Sequence, residues 1–134
     1  MNMARVTLMT HALLRIVAGL MILQHGGQKL FGWFGGSGGP SGGTVQLMSL
    51  MGLGGIIEFF GGVMVALGLG TRLAAFLLSG EMAVAYFTAH QPHGTWPIQN
   101  HGEPAVLYCF IFLFFAAHGA GAFGLDALRH RKSR

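Results

Sequence analysis

Two carboxylates and one guanidinium stand in stretches too apolar to be wet. Glu58 lies within Ile56-Ile57-Glu58-Phe59-Phe60-Gly61-Gly62, Glu81 in a later apolar run and Arg15 in an earlier one. An ionisable group inside a membrane helix is costly to place and is a functional-site hypothesis by default. Arginine is permanently cationic and can grip a carboxylate through paired N–H bonds. Removing either partner of such a pair would strand the other in low dielectric. Arg15 is therefore expected to face Glu58 and Glu81. Two carboxylates sharing one arginine leave one of them to carry a proton. A proton relay or a quinol site needs that arrangement, and a structural clamp between helices would use the same residues.

A second polar group comprises Gln24, His25, Lys29, His90, His93, His101 and Glu103. His25 and Lys29, one turn apart, could donate hydrogen bonds to a quinone carbonyl or to an anion. His90-x-x-His93 and His101-x-Glu103 offer metal-ligand types, but their spacing fits no compact zinc pattern, so no metal site is expected. His25, His90 and His118 could serve as haem ligands, yet no spacing demands a haem. Gly35-Gly36-Ser37-Gly38-Gly39 lacks the Gly-Lys-Ser/Thr ending of a phosphate loop and reads as a linker. Cys109 stands alone, with no disulfide or C-x-x-C partner, and reads as a small buried hydrophobe.

Four apolar segments must position these groups: residues 8–30, 46–69, 73–89 and 104–123. Each is close to the ~20 residues that span a bilayer. Each carries one polar or small-residue stripe at helical spacing. The stripes are His11, Arg15, Ala18, Ile22, His25, Lys29; then Gly54, Glu58, Gly61, Val65, Gly68; then Ala74, Leu78, Glu81, Ala85, Thr88; and Tyr108, Ile111, Phe115, His118. The expected fold is an all-α integral membrane four-helix bundle with a polar interior, formed by a single domain over residues 1–134. Counting ~1.5 Å per residue from the basic ends puts Arg15, Glu58, Glu81 and His118 in one inner layer.

Composition agrees. Of 134 residues, 52% are hydrophobic and 9% charged, with mean hydropathy +0.57. A soluble domain carries about 25% charged residues, so lipid must cover much of this surface. The net charge of +4 is concentrated at one end, in Arg129, Arg131, Lys132 and Arg134. That pattern suits a cytoplasmic anchor, not nucleic acid. Arg5, Arg72 and this cluster share one side, and Lys29 stands alone on the other. Both termini are then expected in the cytoplasm of a bacterial-type inner membrane. The loops 32–43 and 90–103 face outward, with Trp33 and Trp96 as interfacial aromatics. No small-x-small site follows the first apolar run, which is read as a retained helix.

Several motifs together resemble the DoxX family. Leu14-Arg15-Ile16-x-x-Gly19 and His25-Gly26-x-x-Lys29-Leu30-Phe31-Gly32 look like its first helix. Glu58-x-x-Gly61-Gly62 and Leu67-Gly68-Leu69-x-Thr71-Arg72 look like its second. Asn100-x-Gly102-Glu103 with Leu107-Tyr108, and Gly121-x-x-Gly124-Leu125-Asp126, resemble its last helix and C-terminal end. The resemblance spans nearly the whole chain. It implies a small membrane protein linked to quinone-reducing oxidation of sulfur compounds, or to oxidative-stress and thiol-handling assemblies. By motif match, the catalytic candidates are Arg15, Glu58 and Glu81. The cofactor-binding candidates are His25, Lys29, His90, Asn100 and Glu103, with quinone as the cofactor.

The leading expectation is a subunit of a quinone-linked redox system. It would hold a quinone or small reductant in the outer half, oriented by His25, Lys29 and His90, while Glu58 and Glu81 take or pass protons. With no cysteine pair, thiol chemistry would need a partner such as a soluble oxidoreductase. Two rivals use the same residues. One is a non-catalytic anchor or assembly subunit. The other is a small-molecule or metal-ion carrier working through the outer histidines. The expected partners are lipid, the redox partner and, through the glycine face of 46–69, a second copy; nucleic acid is not expected.

Overall fold

A computed structural model describes residues 2–132, so Arg134 of the basic cluster lies outside the described residues. Among the described residues the regular elements are all helices, with no strand. Helix α1, Met3–Phe31, begins where the Asn2 side chain accepts the Ala4 N–H and ends at Gly32 with φ 72°. Helix α2, Leu50–Leu67, is shorter than the expected 46–69, because residues 46–49 form a turn. There the Ser49 side chain caps the Gly52 N–H at 3.0 Å. Helix α3, Thr71–Ala85, runs on through a π-helical turn, Tyr86–His90, and a 3-10 turn, Gln91–His93. A single turn, α4 (Pro97–Asn100), precedes α5, Glu103–His118. Helix α5 stops short of the expected residue 123, because Gly119 and Gly121 both take positive φ. A polar helix, α6 (Leu125–Lys132), follows.

Three of these helical runs, Met3–Phe31, Leu50–Leu67 and Thr71–His93, are long and apolar enough to cross a membrane. Helix α5 is apolar too, but has only 16 residues. The helices pack most closely as two pairs, α1 on α2 and α3 on α5. In the first pair the backbones touch. A Cβ built at Gly62 would stand 2.7 Å from the Gly19 carbonyl oxygen, the close approach that small residues allow between membrane helices. Ala18, Ile22 and Val65 of this pair join Leu78, Phe112 and Phe115 of the other in one buried cluster.

The end carrying Arg72 and α6 is tied by charge to backbone. Gly68 closes α2 at φ 71°, its N–H reaching the Met64 and Val65 carbonyls. Asp126 then caps α3, accepting the N–H groups of Gly70 at 2.9 Å and Thr71 at 3.1 Å. Partial burial opposes the Asp126 charge, but these backbone N–H bonds and Arg129 outweigh it and hold the carboxyl below the usual carboxylate range. Arg72 donates to the Ala116 carbonyl at 3.2 Å and to that of Ala117, at the C-terminus of α5.

Arg15 belongs to this end, which corrects the expected pairing with Glu58 and Glu81. Its guanidinium donates to the carbonyls of Val65 at 2.7 Å, Ala66 at 2.6 Å and Phe123 at 3.3 Å. The physical reason is an overhang. Residues 3–14 of α1 extend past the end of α2, so Arg15 stands level with the last turn of α2. There it meets last-turn carbonyls of a helix C-terminus, which have bonding capacity to spare. His118 is likewise at this end, its Nδ1 3.0 Å from the Phe114 carbonyl and its ring stacked on Phe114. The expected single inner layer is therefore two clusters, one at each end.

Candidate functional site

At the opposite end, where the long loops lie, a cavity of about 690 Å³ opens among α1, α2, α3 and α5. Its walls are mostly apolar. Its polar groups are His25, Lys29, Glu58, Glu81 and Tyr108, with Thr88, His90 and His101 near the loops.

The central contact is an ion pair. Lys29 Nζ stands 2.9 Å from Glu58 Oε1, with side-chain exposures of 18% and 3%. Lys29 sits in the last turn of α1, where a cation suits the helix dipole. Glu58 points inward from the stripe Gly54, Glu58, Gly61, Val65, as its spacing predicts. The face of α2 that touches α1 is a different one, bearing Gly55 and Gly62.

Glu81 reaches the same spot from α3, and Gly54 makes room for it. A Cβ at Gly54 would stand 3.0 Å from Glu81 Oε1 and 3.8 Å from Lys29 Nζ. Lys29 and Glu81 thus approach across a gap that any larger residue would narrow. Opposite them, the Tyr108 ring stacks on Phe112 and meets the edge of His25, with centroids 5.8 and 6.3 Å apart. Glu58 Oε2, Glu81 Oε2 and Tyr108 Oη are buried and have no hydrogen-bond partner among the described residues. An unmade hydrogen bond at a buried polar atom costs about 1–3 kcal/mol. Three around one cavity mark a place where water or a ligand completes the bonding.

The rim is held by Asn100, which is 4% exposed. Its amide donates to Tyr86 Oη at 3.2 Å and to the Gly94 carbonyl at 2.9 Å, and its Oδ1 accepts the Gly102 N–H at 2.8 Å. Its own carbonyl lies 3.1 Å from His90 Nδ1. Asn100 thereby joins the π-helical turn to the start of α5. Such turns recur at functional sites.

Of the expected site residues, then, His25, Lys29, Glu58, Glu81 and His90 come together around the cavity. Asn100 braces its rim. Glu103 sits exposed in the first turn of α5 and does not line the cavity. His93 turns to the Ala89 carbonyl. Among the described residues, no three His, Cys, Asp or Glu side chains gather to hold a metal ion. Two residues of the site were not singled out from sequence. Tyr108 was visible as the hydroxyl on the fourth stripe. Gly54 was visible one turn before Glu58, but what its missing side chain admits depends on α3.

The DoxX family profile matches residues 10–91, a span that holds Lys29, Glu58, Glu81 and the whole of α2 and α3. An uncharacterized protein of Haemophilus influenzae is 43% identical over 118 residues, covering 86% of this chain and 87% of that protein. No solved structure matches. With a family match over more than half its length, the chain belongs to DoxX, a family of membrane proteins.

Proposed function

We propose that the chain is a subunit of a quinone-linked redox system of the bacterial inner membrane, holding a quinone head group in the loop-end cavity. One observation carries this reading: an apolar cavity whose buried polar atoms, Glu81 Oε2, Glu58 Oε2 and Tyr108 Oη, lack partners beside a Lys29–Glu58 ion pair. A quinone offers two carbonyl acceptors and an apolar ring. Lys29 Nζ and Tyr108 Oη are the donors that would receive the carbonyls, and His25, packed against Tyr108, helps to orient the ring. When bound, a quinone supplies an acceptor for two electrons and two protons. The carboxylates of Glu58 and Glu81 face the cavity, positioned to hold or pass those protons, while Lys29 balances one of their charges.

The remaining parts follow from the same reading. Helix α5 is the fourth span, its shortness compensated by the Arg72 cap at one end and the polar rim at the other. Arg5, Arg72 and Arg129 lie on the cytoplasmic side by the positive-inside bias, which places the cavity in the outer half. Arg15 fixes the end of α2 and takes no part in the cavity. Cys109 has no second cysteine to cycle with, so in this reading any thiol chemistry belongs to a partner protein.

The test is direct titration. Purified protein in detergent is titrated with a short-tailed ubiquinone analogue, followed by quenching of Trp33 and Trp96 at the loop end. Saturable binding is expected, weakened about tenfold by Lys29→Met or Tyr108→Phe, the loss of roughly one hydrogen bond each, and less by Glu81→Gln. Absence of saturable binding, or indifference to all three substitutions, would reject the reading.

A further inference from the structure

The cavity has a side opening, and the residues around it say what passes through. The interface of α2 and α3 is closed near the middle of α2, where a Cβ at Gly61 would stand 3.0 Å from the Leu78 side chain. It is open further toward the loop end. A Cβ at Gly80 meets nothing within 4 Å. Gly80 lies near the middle of the Thr71–His93 span, far from either membrane surface. Around it the cavity lining is apolar and faces outward: Leu53 is 53% exposed and Phe76 63% exposed, with Leu77 and Val84 beside them. The inner wall is the reverse, with Glu58 2% and Tyr108 8% exposed, each with an oxygen lacking a partner.

We infer that the cavity binds a membrane-dissolved quinone sideways, its head against Glu58, Glu81 and Tyr108 and its apolar tail lying in the gap between α2 and α3 at Gly80. This rests on the quinone reading and adds to it the tail, the route and the residue that keeps the route open. Three observations select this occupant. At mid-span only a lipid-dissolved molecule reaches Gly80. The unpartnered oxygens on the inner wall call for a head group that accepts from the Tyr108 hydroxyl when oxidised and donates its own hydroxyls to the carboxylates when reduced, which a lipid acyl chain cannot do. The volume, about 690 Å³, falls in the ~300–1,000 Å³ range of ligand pockets, and the open side lets a tail extend beyond it. Glycine at position 80 also has a cost: in a helix interior it is about 1 kcal/mol worse than alanine. A position where a side chain would meet no protein atom, yet none is present, is what an open path requires.

The experiment compares two ligands on two proteins. Decylubiquinone and its tail-less head group, methyl-dimethoxybenzoquinone, are titrated against wild type and Gly80→Phe, each corrected for partition into the detergent. Wild type is expected to bind decylubiquinone at least about tenfold more tightly than the tail-less compound, the worth of a few buried methylenes. Gly80→Phe is expected to lose that preference while still binding the tail-less compound. A preference that survives Gly80→Phe, or is absent from wild type, overturns the inference and leaves head-group binding standing. If wild type binds neither compound, the quinone reading itself falls. Stoichiometric phospholipid that decylubiquinone does not displace from the purified protein also overturns it. Should Gly80→Phe not fold, Leu77→Trp fills the same gap and decides by the same comparison.

Discussion

Removing Lys29 should cost more than removing the carboxylate it neutralises. The Glu58 side chain is 3% exposed and its Oε2 already lacks a partner, whereas Lys29 is 18% exposed and lies at the cavity near Glu81. In Lys29→Met, Glu58 loses its one hydrogen bond and its counter-ion while its carboxylate stays buried. Breaking a buried pair from one side costs about 3–5 kcal/mol, and even 3 kcal/mol is more than a hundredfold in the folding equilibrium. In Glu58→Gln, Lys29 keeps access to the cavity and to Glu81. The loss is then close to one charge-assisted hydrogen bond, about 1.5–3 kcal/mol, at the lower end because the ammonium can still be hydrated. The double variant Lys29→Met/Glu58→Gln strands no charge and should be more stable than Lys29→Met alone, with a coupling of about 2 kcal/mol. Reversible denaturant unfolding in mixed micelles, read by far-UV circular dichroism, measures all four proteins. Equal costs for the two single variants, or strictly additive losses in the double variant, would refute the argument that burial of Glu58 sets the asymmetry.

Three further predictions concern the rest of the framework. Arg15→Lys should lose about 2–3 kcal/mol, because a single ammonium cannot reach the carbonyls of both α2 and Phe123 as the guanidinium fork does. Quinone binding by the folded fraction should not change, and a selective loss of binding would return Arg15 to the site. Asp126→Asn should cost about 1 kcal/mol at neutral pH as a weakened cap on α3. The folded value of Asp126 is held low. Its contribution is therefore full above the unfolded value near 3.9 and is lost as pH falls through the lower folded value. The stability gap between wild type and Asp126→Asn should close in acid, and a gap that widens there would contradict the assignment. Gly62→Leu should force α1 from α2 and cost more than about 3 kcal/mol, whereas Gly80→Ala should be neutral or stabilise by up to about 1 kcal/mol. Thermal unfolding of the two separates a contact glycine from an open one.

How far the sequence could be read depends on what each inference used. Spacing within one helix was reliable. The stripe through Glu58 does face inward, and His25 and Lys29 do share a face. Depth between helices was not reliable, because it was counted from guessed ends. The start of the first apolar segment was set at residue 8, and the Thr7 and Thr10 hydroxyls lie close to that boundary. In the structure these hydroxyls bond back to the Met3 and Val6 carbonyls of their own helix, at 3.1 and 2.9 Å, so α1 continues through them to Met3. Nothing local to Arg15 reveals that α2 ends beside it. That follows only from where Gly19 and Gly62 lock the two backbones together. The same lock brings Lys29, not Arg15, to Glu58. Glu103 misled for a related reason: it opens α5, and the rotation of a helix's first turn depends on the loop before it, here fixed by Asn100.

The two ends of the molecule use similar residue types differently. Around Arg15, Arg72 and Asp126, the charges meet backbone carbonyls and N–H groups that a helix end must leave unpaired. Most of these groups satisfy one another there, although Arg15 Nε and Thr71 Oγ1 are buried without a partner among the described residues. Around Glu58, Glu81 and Tyr108, three oxygens are left over in a space that protein does not fill. A clamp built only to hold helices would be better served by the first arrangement, since each idle buried oxygen weakens the fold. The fold tolerates them where Gly54 admits Glu81 and Gly80 leaves the wall open, two positions at which alanine would make the better helix. That coincidence of idle acceptors, absent side chains and an apolar opening is hard to derive from stability, and follows directly if the cavity exists to be filled from the membrane.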